Sequence, residues 1–212
     1  MLQVGGLRGD NYICCKTLLN KMAVSYSFHG QVVLVTGASS GIGAETAVHF
    51  AEAGCDGLAM VGRDQGRLEE VRDRCTTKGI DKSKILLIQE EMTKDGGPQR
   101  IMKAVEEKFG KLHILVNNAG IGGFSSLSDP ELMEKYDKIY ALNVRSTALL
   151  TQLAVPHLIE TKGNIVNVSS VCAKAAVPNM LAYNISKAAL DYFTESTARY
   201  LASKQVRVNS VK

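Results

Sequence analysis

The sequence predicts an α/β fold, a doubly wound parallel sheet of six strands with helices on both faces. Three features predict it. From Gln31 onward short β-branched runs alternate with longer amphipathic stretches, each gap between runs is long enough for a helical crossover, and the first run passes straight into a glycine-rich turn. Antiparallel neighbours can be joined by two residues, whereas parallel ones need a dozen or more, so this spacing favours βαβ units.

Taken in order, the expected strands are Val32 to Thr36, Leu58 to Gly62, Ile85 to Gln89, Leu112 to Asn117, Asn164 to Ser169 and Val206 to Ser210. They read as apolar, β-branched runs, as strands buried on both faces do. The first helix carries the stripe Ile42, Thr46, Phe50. Gly97-Pro98 opens another, with Ile101, Val105 and Phe109 facing the core, because proline is pre-shaped for a first helical turn. Ser128-Asp129-Pro130-Glu131 has the form of a capping box and predicts a long helix from there nearly to Pro156. Residues 1–29 show no sustained period and read as a poorly structured N-terminal extension; residues 30–212 read as one domain, ending soon after the sixth strand.

Composition narrows the function. The net charge of +4 arises from 25 basic and 21 acidic residues scattered along the chain, too even for a nucleic-acid footprint. No apolar run has the length of a membrane span. Five cysteines, Cys14, Cys15, Cys55, Cys75 and Cys172, follow neither metal-ligand nor redox spacing, so no metal is expected and the thiols point to a reducing compartment, the cytoplasm. Met22 offers an alternative start, and a mitochondrial address in the extension is the alternative localisation.

The turn Thr36-Gly37-Ala38-Ser39-Ser40-Gly41-Ile42-Gly43 joins the first strand to a helix. Glycines there let the backbone approach a ligand, and the helix start presents unpaired N–H groups and a positive dipole end. Gly37, Ser39, Ser40, Gly41, Ile42 and Gly43 are therefore expected to hold a pyrophosphate. Their spacing departs from the Gly-x-Gly-x-x-Gly of longer dehydrogenases. At the end of the second strand, Arg63 stands where an acidic residue would bind the ribose of NAD. A guanidinium suits a 2′-phosphate, so NADP is the expected cofactor and NAD the alternative, with Asp64 still able to serve a ribose.

Tyr183 and Lys187 lie four residues apart, on one face of a helix, and Ser170 precedes Tyr183 by thirteen. Tyr12–Lys16 and Tyr200–Lys204 repeat the spacing, but only Tyr183 opens a helix that follows a strand end. A phenol keeps its proton to about pH 10 unless a neighbouring cation stabilises the phenolate, which Lys187 could do. Tyr183 would then exchange a proton with a carbonyl or alcohol oxygen held by Ser170. A strand-end serine capping the next turn is the alternative for Ser170.

In order and spacing, Thr36 to Gly43, Asn117-Asn118-Ala119-Gly120, Asn143, Ser170, Tyr183 and Lys187 resemble the motifs of the short-chain dehydrogenase/reductase family, from Gln31 to the end. The resemblance implies a Rossmann fold and a homo-oligomer pairing through the helices of Asn143 and Tyr183. It implies an NAD(P)-dependent oxidoreductase acting on a small carbonyl or alcohol. Asn143, Ser170, Tyr183 and Lys187 would be its catalytic tetrad, with Tyr183 and Lys187 also touching the cofactor. Asn118, Ala119 and Gly120 would shape the cofactor pocket, and Glu91 would replace an aspartate that meets adenine. Read without the family, Asn143 is equally a buried polar residue satisfying backbone. Relatives continue past the sixth strand through a substrate-covering segment and a seventh strand, so a catalytically impaired chain that keeps cofactor binding or dimerisation is the alternative function.

Overall fold

A computed structural model describes residues 26–212, so residues 1–25 of the expected N-terminal extension, with Tyr12, Cys14, Cys15, Lys16 and Met22, lie outside the described residues. Six parallel strands, β1 (Val32–Thr36), β2 (Gly57–Gly62), β3 (Ile85–Gln89), β4 (Ile114–Asn117), β5 (Asn164–Val168) and β6 (Arg207–Val211), form one sheet. Their order is β3-β2-β1-β4-β5-β6. The chain winds outward from β1 to β3, then returns to the other side of β1 at β4, which leaves a crevice at the carboxyl ends of β1 and β4.

Alternation along the strands divides the core in two. Leu34, Val61, Leu115 and Ile165 meet helices α3 (Gly97–Phe109), α5 (Thr147–Thr161) and the end of α6 (Leu181–Leu201). Val33, Val35, Met60 and Val116 face the opposite layer, α1 (Gly41–Glu52) and α2 (Gln65–Thr77). β1 and β2 are buried along their whole length, which explains their unbroken apolar runs. Burial pushes the Cys55 and Cys75 thiols up to about 12 and about 11, so both act as apolar filler.

The expected strands are all present, with ends shifted by up to two residues. The packed body begins slightly before residue 30: the Phe28 ring meets Phe50 edge-on at 4.8 Å, and its N–H donates to Ala53 O at 2.9 Å.

The capping box is a correction. Helix α4 spans Leu132–Tyr140 and starts later than Ser128 predicts, because the Ser128 hydroxyl pairs with Ser126 instead. Asp129 organises the turn, accepting from Glu131 N–H at 2.9 Å and Lys135 Nζ at 2.8 Å. The helix is also interrupted: Ala141–Ser146 forms a turn of π-helix before α5 resumes and runs through Pro156 to Thr161. Such a bulge inserts an extra residue into the helical ladder and often marks a functional position.

At the amino-terminal ends of the two central strands, the Val32 N–H donates to His113 Nδ1 at 3.0 Å. Burial, helped by Lys111, holds the imidazole below its ordinary range, so the folded state prefers it neutral. That bond should contribute fully above the unfolded value of about 6.5 and be lost as pH falls toward the lowered folded value. Thermal melts are expected to show stability declining below that pH and levelling off once His113 is charged in both states. His113→Asn, which keeps an acceptor without a titration, should flatten this part of the curve; an unchanged slope would exclude His113 as its source.

Candidate active site

The β1–α1 turn builds the first wall of the crevice. Gly37 has φ +65°, in the left-handed region, and a Cβ on Gly43 would collide with the Gly37 carbonyl oxygen. Backbone packing thus demands glycine at both positions. Ser40 caps α1 with its backbone extended and makes no side-chain cap bond, so the first N–H groups of α1 remain open toward the crevice. The neighbouring loop is pinned to this turn: Asn118 N–H and Ala119 N–H both donate to Thr36 Oγ1 at 3.0 Å, and Asn118 Nδ2 donates to Thr36 O at 2.9 Å.

A cavity of about 630 Å³ opens here, and Gly37, Ser39, Ser40, Ile42, Arg63, Glu91, Asn118, Ala119 and Gly120 all line it. Gly41 and Gly43 are not part of this lining; both lie in the first turn of α1, Gly41 exposed and Gly43 buried. Arg63 is exposed, and its guanidinium has no hydrogen-bond or ion-pair partner among the described residues. Asp64 instead caps α2, accepting from Arg67 N–H at 3.0 Å. The Glu91 carboxylate receives Thr93 Oγ1 at 3.3 Å, with Lys94 Nζ at 3.7 Å. Adjacent Glu90 holds Arg100 through bonds of 2.6 and 3.0 Å, and the Arg100 guanidinium keeps its carboxyl below the usual range. Met92, Thr93, Ile121, Lys138 and Leu142 also line the cavity; sequence reasoning did not pick them out, and a position after a strand end could have signalled only Met92, Thr93 and Ile121, since Lys138 lies in α4 and Leu142 in the π turn.

A second cavity, about 370 Å³, shares Ile42, Asn118, Gly120 and Ile121 with the first and adds Gly122, Val168, Ser169, Met180, Tyr183 and Lys187. Tyr183 and Lys187 project from one face of α6, with Lys187 Nζ 5.7 Å from the Tyr183 ring centroid. Lys187 is 4% exposed, and its Nζ donates to Val168 O at 2.7 Å. Burial pushes this ammonium below the ordinary lysine range, opposed in part by the Asp191 carboxylate one turn on. With one of three N–H groups used by Val168, two remain for other acceptors. The Tyr183 ring lies on Gly122, where a Cβ would come within 3.3 Å of it.

Ser170 and Asn143 line neither cavity. Ser170 Oγ accepts from Cys172 N–H at 3.2 Å and caps the short 3-10 turn Val171–Ala173, as the alternative reading expected. A hydroxyl that accepts still has its own hydrogen to donate, so capping and oxygen binding are compatible. Asn143 sits in the π turn, 1% exposed; its Oδ1 accepts from Ile121 N–H at 2.9 Å, and its Nδ2 donates to Ile121 O at 2.9 Å and Ser186 Oγ at 3.0 Å. It ties the Gly120–Gly122 loop to the turn of α6 that carries Tyr183 and Lys187.

Comparisons with known proteins agree with this architecture. The family model for short chain dehydrogenase matches residues 31–212. Human dehydrogenase/reductase SDR family member 7 is 40% identical over 174 residues, 81% of this chain and 51% of that protein. The chain thus spans about half the length of that relative. Among solved structures, a Caenorhabditis elegans short-chain dehydrogenase/reductase of unknown function, determined with cofactor, superposes with a TM-score of 0.82 at 38% identity, covering 87% of this chain and 69% of that one. A metagenomic short-chain oxidoreductase in complex with NADP gives 0.79 at 31% identity, covering 86% of this chain and 80% of that one. No helix among the described residues is long and apolar enough to cross a membrane, and no group of three or more metal-ligating side chains occurs among them.

Proposed function

This chain belongs to the short-chain dehydrogenase family, and from that premise we propose that it is an NADP-dependent oxidoreductase interconverting a small carbonyl compound and a secondary alcohol. The observation that carries the reading is the joining of two cavities, one walled by the glycine turn and Arg63, the other by Tyr183 and Lys187.

The residues fit a dinucleotide. Open N–H groups at the start of α1 and the close-packed Gly37–Gly43 turn suit a pyrophosphate. Arg63, without a partner among the described residues, suits the 2′-phosphate that separates NADP from NAD. Glu91, Asn118, Ala119 and Gly120 would line the rest. When bound, the nicotinamide supplies or takes the hydride. Tyr183 would give its proton to the carbonyl oxygen in reduction and withdraw one from the alcohol in oxidation. The buried Lys187 ammonium would stabilise the phenolate and hold ribose hydroxyls with its two remaining N–H groups. Ser170 would hold the reacting oxygen through its own hydrogen, while Asn143 fixes the loop beneath. We assign the chain to a reducing compartment, the cytoplasm, from its buried thiols, and a homo-oligomer is expected from the family.

Titration with NADPH and NADH tests the cofactor reading. Arg63→Ala is expected to weaken NADPH binding by roughly 10- to 100-fold, as loss of a charge-assisted bond does, and to leave NADH nearly unchanged. Tighter binding of NADH, unaffected by the substitution, would reverse the cofactor assignment. Cofactor binding with no turnover on any ketone would point instead to the impaired chain.

A further inference from the structure

Helix α6 begins without a cap of its own. Met180, at its N-cap, offers no side-chain acceptor, although the first N–H groups of a helix need acceptors from outside it. Two of them are met from a distant loop. Leu181 N–H donates to the Ser125 carbonyl at 3.1 Å, and Ala182 N–H donates to Ser125 Oγ at 3.1 Å. Ser125 returns its own N–H to Asn179 O at 2.8 Å, forming an isolated parallel bridge with Met180. Ser125 is 0% exposed, so water has no access to replace these bonds.

The residue after Ala182 is Tyr183. The loop that brings Ser125 also brings Gly122, on which the Tyr183 ring rests. One loop therefore holds the tyrosine twice, by its helix start and by its ring. Asn179, held in the left-handed region at φ 61°, turns the chain into this clamp.

We propose that Ser125 is a positioning residue for Tyr183: its hydroxyl and carbonyl fix the first turn of α6, and with it the approach of the phenol to Lys187. This rests on the reading of Tyr183 as proton donor and acceptor. A serine cap supplied from afar does what a local one does, but couples the helix start to the wall of the substrate cavity.

The test uses the full chain with Ser125→Ala and Ser125→Thr, the latter restoring the hydroxyl. Ser125→Ala is expected to bind NADPH as the wild type does while kcat falls roughly tenfold, the cost of a lost cap. The pH at which alcohol oxidation reaches half its plateau should move upward as the phenol loses its cation, a change that simple loss of stability would not produce. Ser125→Thr should recover both. An unchanged kcat and pH profile in Ser125→Ala, with Tyr183→Phe inactive, would overturn the positioning role and leave the oxidoreductase reading standing. If the wild type shows no turnover, that reading fails, and Ser125 is decided by the carbon-13 signals of the Tyr183 ring. Their displacement in Ser125→Ala supports the role, and their constancy overturns it.

Discussion

Tyr183→Phe is expected to lower turnover by about 10²- to 10⁴-fold, the usual contribution of a positioned acid–base group, while NADPH affinity and melting temperature stay nearly unchanged. The Tyr183 hydroxyl makes no hydrogen bond among the described residues, so no buried partner is abandoned when it is removed. Phenylalanine keeps the ring that rests on Gly122. The chain contains its own control. Lys204 Nζ lies 5.6 Å from the Tyr200 ring centroid, nearly the same geometry as the 5.7 Å of Lys187 over Tyr183. Tyr200, however, is 68% exposed and lines neither cavity, so Tyr200→Phe should leave turnover unaltered. Steady-state kinetics on the two variants, with NADPH titration of each, separate a role that depends on the cavity from one that depends on spacing alone. Equal activity in Tyr183→Phe and wild type would remove Tyr183 from the chemistry.

That comparison also marks what the sequence could say. The strands were legible because β1 and β2 are buried on both faces, leaving uninterrupted apolar runs. The glycine turn was legible because the close approach of Gly43 to Gly37 excludes any side chain. Tyr183 was separable from Tyr200 by its place after a strand end. Features made by contacts distant in sequence were not legible. Ser125 looks like any loop serine until the loop meets α6, and Ser128 looks like a cap although Asp129 organises the turn. The π turn likewise has no local signature, since the apolar period runs on through Ala141–Ser146. Its tertiary anchors are distant in sequence: Ser146 Oγ lies 3.0 Å from Met92 O, and Asn143 reaches across to Ile121.

Asn143→Ala should produce the larger loss of stability. Its side chain serves three groups, Ile121 N–H, Ile121 C=O and Ser186 Oγ, at a site 1% exposed. Ser186 keeps its bond to Tyr183 O at 2.8 Å, so the two Ile121 groups bear most of the cost. At 1–3 kcal/mol for each unsatisfied group the loss is about 3 kcal/mol, or roughly 10 °C in melting temperature for a chain of this length. Asn143→Asp distinguishes the donor from the acceptor. A carboxylate can still accept from Ile121 N–H but faces Ile121 C=O without a proton, and burial would raise its folded pKa above the unfolded value of about 3.9. The protonated acid restores a donor, so the deficit against wild type should be smallest at acid pH and grow as pH rises through that raised value, whereas the alanine deficit should not vary in this way. Melts of both variants against wild type at several pH values read the difference directly. A fall of less than about 2 °C in Asn143→Ala would mean that the Gly120–Gly122 loop is held by the Thr36–Asn118 bonds alone, and that the π turn serves some end other than anchoring it.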